Sequence, residues 1–209
     1  MVALPTESVG QTRTVECMAS TFRQHADEDI VDRAAELFAQ HGFAHTSLQS
    51  LAEAVGLSKA GLLHHFPSKD ALYEAAQQSC REQVSRVRTR VADLPLGPER
   101  DRLALELLLD VALDRPGLVA LAFSAVTAKD ARAASLEDDD LQVFETFGVD
   151  PADMRAERLI RVIGALSALA VLSLAAHHLG EKAVWRRQIL ATCVDALGHR
   201  ASTPDRMEL

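Results

Sequence analysis

Aromatic residues and cysteines are scarce in this chain of 209 residues. Aromatic side chains make up only 4% of it, whereas alanine and leucine dominate, which favours helices over sheets. The three cysteines, Cys17, Cys80 and Cys193, are far apart and form no CxxC pair, which argues against a disulfide framework and favours a reducing compartment. No stretch alternates polar and apolar residues long enough to predict a strand. The sequence therefore predicts an all-α protein in the cytoplasm.

Recognisable catalytic and cofactor motifs are also missing from the sequence. There is no GxSxG elbow, P-loop, GxGxxG fingerprint or HExxH pair. The first 25 residues lack the basic segment and apolar run of a secretory signal. His177 and His178 are adjacent and cannot both point inward, and Cys193 completes no paired metal motif with them. We therefore expect no enzyme, no cofactor and no bound metal.

A net positive charge is lacking as well. The chain has 22 Lys and Arg residues against 30 Asp and Glu residues, for a formal net charge of −8 at pH 7. A basic surface is the usual electrostatic signature of a protein that binds nucleic acid. Any binding to nucleic acid must therefore depend on local charge and geometry.

The N-terminal third of the chain begins with a segment that has no clear pattern. Residues 1–25 are polar and show no apolar periodicity, so we predict a flexible arm. A first helix is predicted from about Asp29 to His41, because its apolar residues fall on one face and Gly42 is a typical helix end.

Two short helices are then predicted to meet at a tight turn over residues 56–58. The first begins at a capping box in which Thr46 and Gln49 satisfy each other's backbone amides. Gly56 supplies the left-handed backbone of the turn, and the next helix runs from Lys59 to Phe66. This helix is short and faces solvent, a shape that fits the major groove of DNA. The pattern predicts a helix-turn-helix unit within a DNA-binding domain over residues 26–72.

Further helices are predicted over residues 73–200, followed by a polar tail over residues 201–209. Residues 162–176 form an uncharged run that is too short, and too rich in small residues, to predict a membrane span. We expect this run to pack with the helix over residues 181–197 in a four-helix dimer interface, the alternative being that both helices are internal core. The residues predicted at the interface are Gly164, Ala168, Leu172, Ala175, Ile189 and Val194.

The joint pattern of the N-terminal residues is more specific than any single motif. It consists of Ala34-Ala35-Glu36-Leu37-Phe38, Gly42-Phe43, Thr46-Ser47-Leu48, the run from Leu51 to Lys59 and the run from Leu62 to Leu72. At this spacing the segments resemble the N-terminal DNA-binding domain of the TetR/AcrR family of bacterial regulators. The resemblance implies an N-terminal three-helix domain followed by a helical domain for effector binding and dimerisation. It also implies a homodimeric repressor that binds a palindromic operator in double-stranded DNA and is released by a small molecule.

The resemblance further implies which side chains meet DNA. The expected residues are Thr46, Ser47, Lys59, Ala60, Gly61, Leu63, His64 and Lys69. Thr46, Ser47 and Lys69 are expected to contact phosphates. The others lie on the predicted helix from Lys59 to Phe66, which is the recognition helix that enters the major groove. Leu63 stands where the family usually has tyrosine, so a hydroxyl contact to the DNA backbone is lost. It either touches a thymine methyl or covers the helix junction, while His65 is expected to pack inside.

The effector contacts and the overall function are less closely defined. Candidate effector residues are Leu107, Phe123, Phe144, Phe147 and Trp185, although aromatic residues at helical spacing are more often core. One alternative function is a helical protein-interaction adaptor that has lost DNA binding, which the acidic net charge and Leu63 favour. The other is a small-molecule carrier or enzyme that uses a cavity in the C-terminal helices.

Overall fold

The computed structural model describes residues 9–127, 142–149 and 157–199, with side chains from residue 25 onwards except 125–127. The helices in these ranges are α1 (Val9–His41), α2 (Leu48–Ala54), α3 (Lys59–His65), α4 (Lys69–Val91), α5 (Pro98–Asp114), α6 (Pro116–Thr127), α7 (Gln142–Thr146), α8 (Glu157–His178) and α9 (Lys182–Ala196). The described ranges contain no strand, and the prediction of an all-α fold is confirmed. The polar tail predicted over residues 201–209 lies outside the described residues.

The first helix is much longer than predicted. It begins at Val9 instead of Asp29, so most of the segment predicted as a flexible arm over residues 1–25 is helical. Residues 11–28 contain neither proline nor glycine and are rich in good helix formers, so nothing interrupts the helix. Apolar periodicity is weak in this part of the chain, so that signal does not predict a helix there. Residues 1–8 lie outside the described residues.

The buried apolar side chains form two clusters. The N-terminal core includes Ala34 and Phe38 of α1, Leu51 of α2 and Leu62 of α3. It extends beyond residue 72, because Tyr73 and Ala76 of α4 and Leu118 and Leu121 of α6 are part of it. The second core joins the end of α4 to α5, α8 and α9. Helix α4 therefore contributes to both cores, and Val119 of α6 packs against the second core.

The beginning of α6 is joined to α1 by polar contacts. The Leu118 N–H donates a hydrogen bond to Asp32 Oδ1 at 2.9 Å. Arg115 donates to Glu28 at 2.6 Å and to Asp29 at 3.3 Å. Gly117 allows the close approach, because a Cβ added there would lie 1.8 Å from the Asp32 carbonyl oxygen. This α1–α6 joint connects the N-terminal helices to the C-terminal body.

Candidate nucleic-acid interface

Helices α2 and α3 form a helix-turn-helix unit around a glycine turn. Gly56 has a φ of +70°, as predicted for a left-handed turn residue. The hydroxyl of Ser58 caps α3 by accepting a hydrogen bond from the Gly61 N–H at 3.0 Å. Leu62 is completely buried in the N-terminal core. The opposite side of α3 is therefore turned outward.

The outward side of α3 presents three of the predicted DNA-binding residues. Lys59, Ala60 and His64 are exposed, whereas Gly61 and Leu63 are half-buried. Helix α3 contains no acidic residue, so the negative net charge of the chain is not reproduced on this helix. The half-buried position of Leu63 is compatible with either expected role, a contact to a thymine methyl or cover for the helix junction.

The capping box of α2 is formed by different residues from those predicted. Ser47, not Thr46, is the N-cap: its hydroxyl accepts from the Ser50 N–H at 3.0 Å, and the Ser47 N–H donates to Ser50 Oγ at 3.1 Å. Thr46 is 3% exposed, and its hydroxyl donates to the Gly42 carbonyl at 2.8 Å. The prediction for the Thr46 side chain is therefore wrong, because its hydroxyl stabilises the end of α1. Ser47 remains exposed at the beginning of α2.

Lys69 also has an internal role that the sequence analysis missed. Its Nζ donates to the carbonyl oxygens of Phe43 at 2.8 Å and Thr46 at 2.9 Å, and lies 4.3 Å from the centre of the Phe43 ring. An ammonium group has three donors, so these two bonds leave one for another partner. Lys69 therefore fixes the loop that leads into α2. The prediction that Lys69 is simply a phosphate contact is corrected, because its main role in the structure is to position this loop.

His65 connects the recognition helix to α1. Its Nδ1 lies 2.6 Å from Asp27 Oδ1, across 38 residues of sequence. His65 is half-buried whereas the neighbouring His64 is exposed, in agreement with the expectation that only one of them is available to DNA. The pair fixes the last turn of α3 against α1.

The candidate effector residues lie in two different places in the described structure. Phe147 is buried in the second core, and Leu107, Phe144 and Trp185 pack against that core. Phe123 instead lines a cleft between α1, α6 and α8. Most of these aromatic side chains are therefore core residues, the alternative that the sequence analysis also gave.

The predicted dimer residues lie at different depths. Gly164 is exposed, Ala168, Leu172, Ala175 and Val194 are half-buried, and Ile189 is 1% exposed. Ile189 is a core residue of its own protomer, so its assignment to an interface is wrong. The structure instead exposes apolar residues that the sequence analysis missed, namely Ile160, Ile163 and Val171 of α8 and Val184 of α9. The helical spacing of Ile160, Ile163 and Val171 along α8 is the pattern by which the sequence could have predicted this exposed face.

Helix α8 is the one helix in the described ranges that is long and apolar enough to cross a membrane, with a mean hydropathy of 2.2 over its most apolar window. Length and composition are weak grounds for a membrane span. In the structure, Val162, Ala165, Leu169 and Ala176 bury one side of α8 in the second core. This packing is that of a helix in a folded protein core.

Comparisons with known proteins identify the N-terminal domain. Residues 30–76 match the family model described as bacterial regulatory proteins, tetR family. The chain is 35% identical to the HTH-type transcriptional repressor Rv1474c of Mycobacterium tuberculosis, over 36% of this chain and 39% of that protein. It is 33% identical to IcaR of Staphylococcus aureus, the HTH-type negative transcriptional regulator of the biofilm operon icaADBC, over 29% of this chain and 32% of that protein. Residues 30–76 therefore form a DNA-binding domain of the tetR family.

Solved structures show a similar fold over most of the chain. A TetR-like transcriptional regulator from Rhodococcus sp. RHA1 superimposes with a TM-score of 0.55 and 20% identity, covering 85% of this chain and 97% of that one. A TetR-family regulator from Bordetella parapertussis 12822 gives a TM-score of 0.53 and 18% identity, with coverage of 84% and 97%. These neighbours show a shared fold. The family match also agrees with the expectation that the chain is not an enzyme.

The match to the two sequence relatives is confined to the DNA-binding end. The matching segment spans 39% of Rv1474c and 32% of IcaR, so the C-terminal body is outside that likeness. The N-terminal domain is thus a helix-turn-helix DNA-binding domain of TetR type.

Proposed function

We propose that this protein is a cytoplasmic transcriptional repressor of the TetR family that binds a palindromic operator as a homodimer and releases it when a small molecule binds. The observation that supports DNA binding is the outward face of α3, where Lys59, Ala60 and His64 are exposed while Leu62 fixes the helix to the core. A small residue at Ala60 lets the helix approach the groove closely. Repression is favoured because the relatives are named as a repressor and a negative regulator.

The exposed apolar face of α8 and α9 supports the homodimer. Ile160 is 64% exposed, Val171 50% and Val184 62%, which is unusual for large apolar side chains on adjacent helices. Burying this face against a second copy across a two-fold axis would remove it from water. The same symmetry would present two copies of α3 to the DNA. To read the two halves of a palindrome, these copies must lie one turn of DNA apart, which is about 34–36 Å.

The decisive experiment measures DNA binding as a function of salt. Fluorescence anisotropy of labelled duplexes from the region flanking the gene is expected to reveal one palindromic site whose affinity falls steeply as salt increases. Lys59→Ala and His64→Ala are expected to weaken binding to this site. Arg102→Ala removes an exposed cation of α5 and serves as the matched control, with no effect expected. Equal, weak binding to every duplex would contradict the proposal.

An adaptor that no longer binds DNA is the second candidate function. It is favoured by the internal contacts of Thr46 and Lys69, because two of the expected phosphate-binding side chains are engaged within the protein. The same salt titration distinguishes the two functions, since an adaptor would show no operator-specific binding even at low ionic strength. We place it second because Lys59 and His64 remain exposed on α3.

A further inference from the structure

A cleft of about 260 Å³ lies between α1, α6 and α8. Its walls include Gln40 of α1, Ala120 and Phe123 of α6, and Leu174 and His177 of α8. Helix α1 belongs to the N-terminal core and α8 to the second core. The cleft therefore lies between the DNA-binding domain and the body, and a molecule bound in it would touch both.

Two polar atoms of α8 are buried without a hydrogen-bond partner among the described residues, and one of them belongs to His177, which lines this cleft. They are Oγ of Ser173, whose side chain is completely buried, and Nδ1 of His177. The two residues are four positions apart and so lie on the same face of the helix. Buried polar groups are nearly always paired, and an unpaired group needs a specific explanation such as a ligand.

The imidazole of His177 is suited to hydrogen bonding with an uncharged ligand. Burial is the main cause that lowers the pKa of His177, and the nearby positive charge of Lys182 lowers that pKa further. The ring is therefore neutral at pH 7, with one nitrogen that donates and one that accepts. Rotation about the soft Cβ–Cγ torsion turns a nitrogen towards the cleft, which the ring already lines.

A larger cleft of about 820 Å³ between α1, α4 and the α5–α6 junction offers less to a ligand. The charged groups of its wall are already paired: Asp27 with His65, Glu28 with Arg115, and Glu82 with Arg86. A ligand there would have to compete with ion pairs that the protein makes for itself. The smaller cleft, with its unpaired atoms, is the better site.

We propose that the cleft between α1, α6 and α8 binds a compact, largely apolar molecule that has a hydrogen-bond donor. Phe123 and Leu174 would contact its apolar part, while Ser173 and His177 would bond its polar group. The volume is just below the range of about 300–1,000 Å³ of typical ligand pockets, which favours a single or fused ring. Because α1 forms one wall, a bound molecule would alter the position of the DNA-binding domain; this consequence rests on the proposed function.

Nuclear magnetic resonance of the full chain labelled with ¹⁵N-histidine tests the site without DNA. Indole and phenol are titrated as probes with a donor, and benzothiophene and fluorobenzene as probes of matched shape without one. His177→Gln identifies the His177 ring signals. We expect indole or phenol to shift the His177 signals in a saturable way, with an affinity about threefold to tenfold above that of its matched partner, as expected for one hydrogen bond.

Three variants show whether binding occurs in this cleft. Ala120→Phe should fill the cleft and abolish saturable binding, whereas Ala122→Phe, on an exposed position of the same helix, should leave it unchanged. Ser173→Ala removes an unpaired hydroxyl, so it should raise the melting temperature while weakening binding of the donor probe about threefold to tenfold. A hydroxyl that served only the fold would not give these opposite effects.

The possible outcomes separate this proposal from the proposed function. No saturable shift with either donor probe, equal binding of the matched probes, or binding that survives Ala120→Phe would overturn the ligand site, even if the chain binds its operator. Saturable binding to a chain that ignores all DNA would support the site and overturn the repressor. Saturable binding that weakens operator affinity would support both.

Discussion

The backbone N–H of Leu118 donates a hydrogen bond to the carboxylate of Asp32, with 2.9 Å between the nitrogen and Oδ1. Asp32 lies in the DNA-binding domain and Leu118 in the first turn of α6, so this bond joins two helices through residues that are 86 positions apart in the sequence. Leu118 also lies in the N-terminal core. A displacement of α6 by a ligand in the body would therefore act directly on α1. Helix α4 contributes to both cores and offers one route between the body and the DNA-binding domain, and the α1–α6 joint offers a second.

Gly117→Ala should loosen this joint. The added methyl would lie 1.8 Å from the Asp32 carbonyl oxygen and 2.7 Å from its carbon, so α1 and α6 would have to separate. We expect the free energy of unfolding to fall by about 1–3 kcal/mol, as for other overpacked sites. Urea unfolding followed by circular dichroism measures this change. An unchanged unfolding midpoint would show that α6 is not held against α1 at this distance.

Asp32→Asn should leave the fold as stable or make it more stable at neutral pH. Burial is the main cause that raises the pKa of Asp32 above 3.8, although the Leu118 and Gly117 amides and Arg115 oppose that shift. Because the native pKa is raised, the contribution of Asp32 to stability is fully present below about pH 3.8 and decreases as the pH rises through the native pKa. Asparagine cannot ionise and keeps an oxygen for the Leu118 N–H.

The comparison is made by urea unfolding between about pH 4 and about pH 7. The stability difference between Asp32→Asn and the parent chain should increase as the pH rises. Asp32→Ala is the control: it loses the acceptor and should cost about 0.5–2 kcal/mol, as for other lost helix caps. A constant difference across this pH range would contradict the raised pKa.

Lys59→Met and Lys69→Met should separate DNA contact from loop positioning. Lys59 is exposed on α3, so its loss should leave the melting temperature unchanged and reduce the salt dependence of DNA binding by about one counterion. Lys69 donates to two carbonyl oxygens, so its loss should lower the free energy of unfolding by about 1.5–3 kcal/mol. Thermal unfolding and salt-titrated anisotropy measure both effects. Equal stability of the two variants would refute the positioning role of Lys69.

Ile160→Glu and Val171→Glu should yield monomers. Both side chains are at least half exposed on the apolar face of α8, and a carboxylate there cannot be buried against a second copy without a partner. Sedimentation velocity should show the mass of one chain, with an unchanged far-ultraviolet spectrum. Leu96→Glu, at a position that is 62% exposed between α4 and α5, is the control and should remain dimeric. Dimers in all three variants would place the interface elsewhere.

Local signals predicted the helix-turn-helix unit well. Gly56 has the predicted left-handed backbone, and the helix after the turn begins at Lys59 as predicted. The prediction failed where two neighbouring residues could take the same role. Thr46 and Ser47 are both good N-caps, and Ser47 takes this role because the Thr46 hydroxyl bonds to Gly42. A choice of this kind depends on a contact to the preceding helix, which the spacing of residues does not reveal.

The amino-acid sequence by itself determined the helical fold, the turn at Gly56 and the TetR-type domain, because capping, glycine turns and apolar periodicity act over a few neighbouring residues. Only the tertiary structure decided that Lys69 binds the carbonyls before α2, that His65 meets Asp27 and that Ile189 faces its own core. Those outcomes depend on which side chains meet when distant helices pack. The spacing of residues along one helix does not reveal which residues of other helices they will contact.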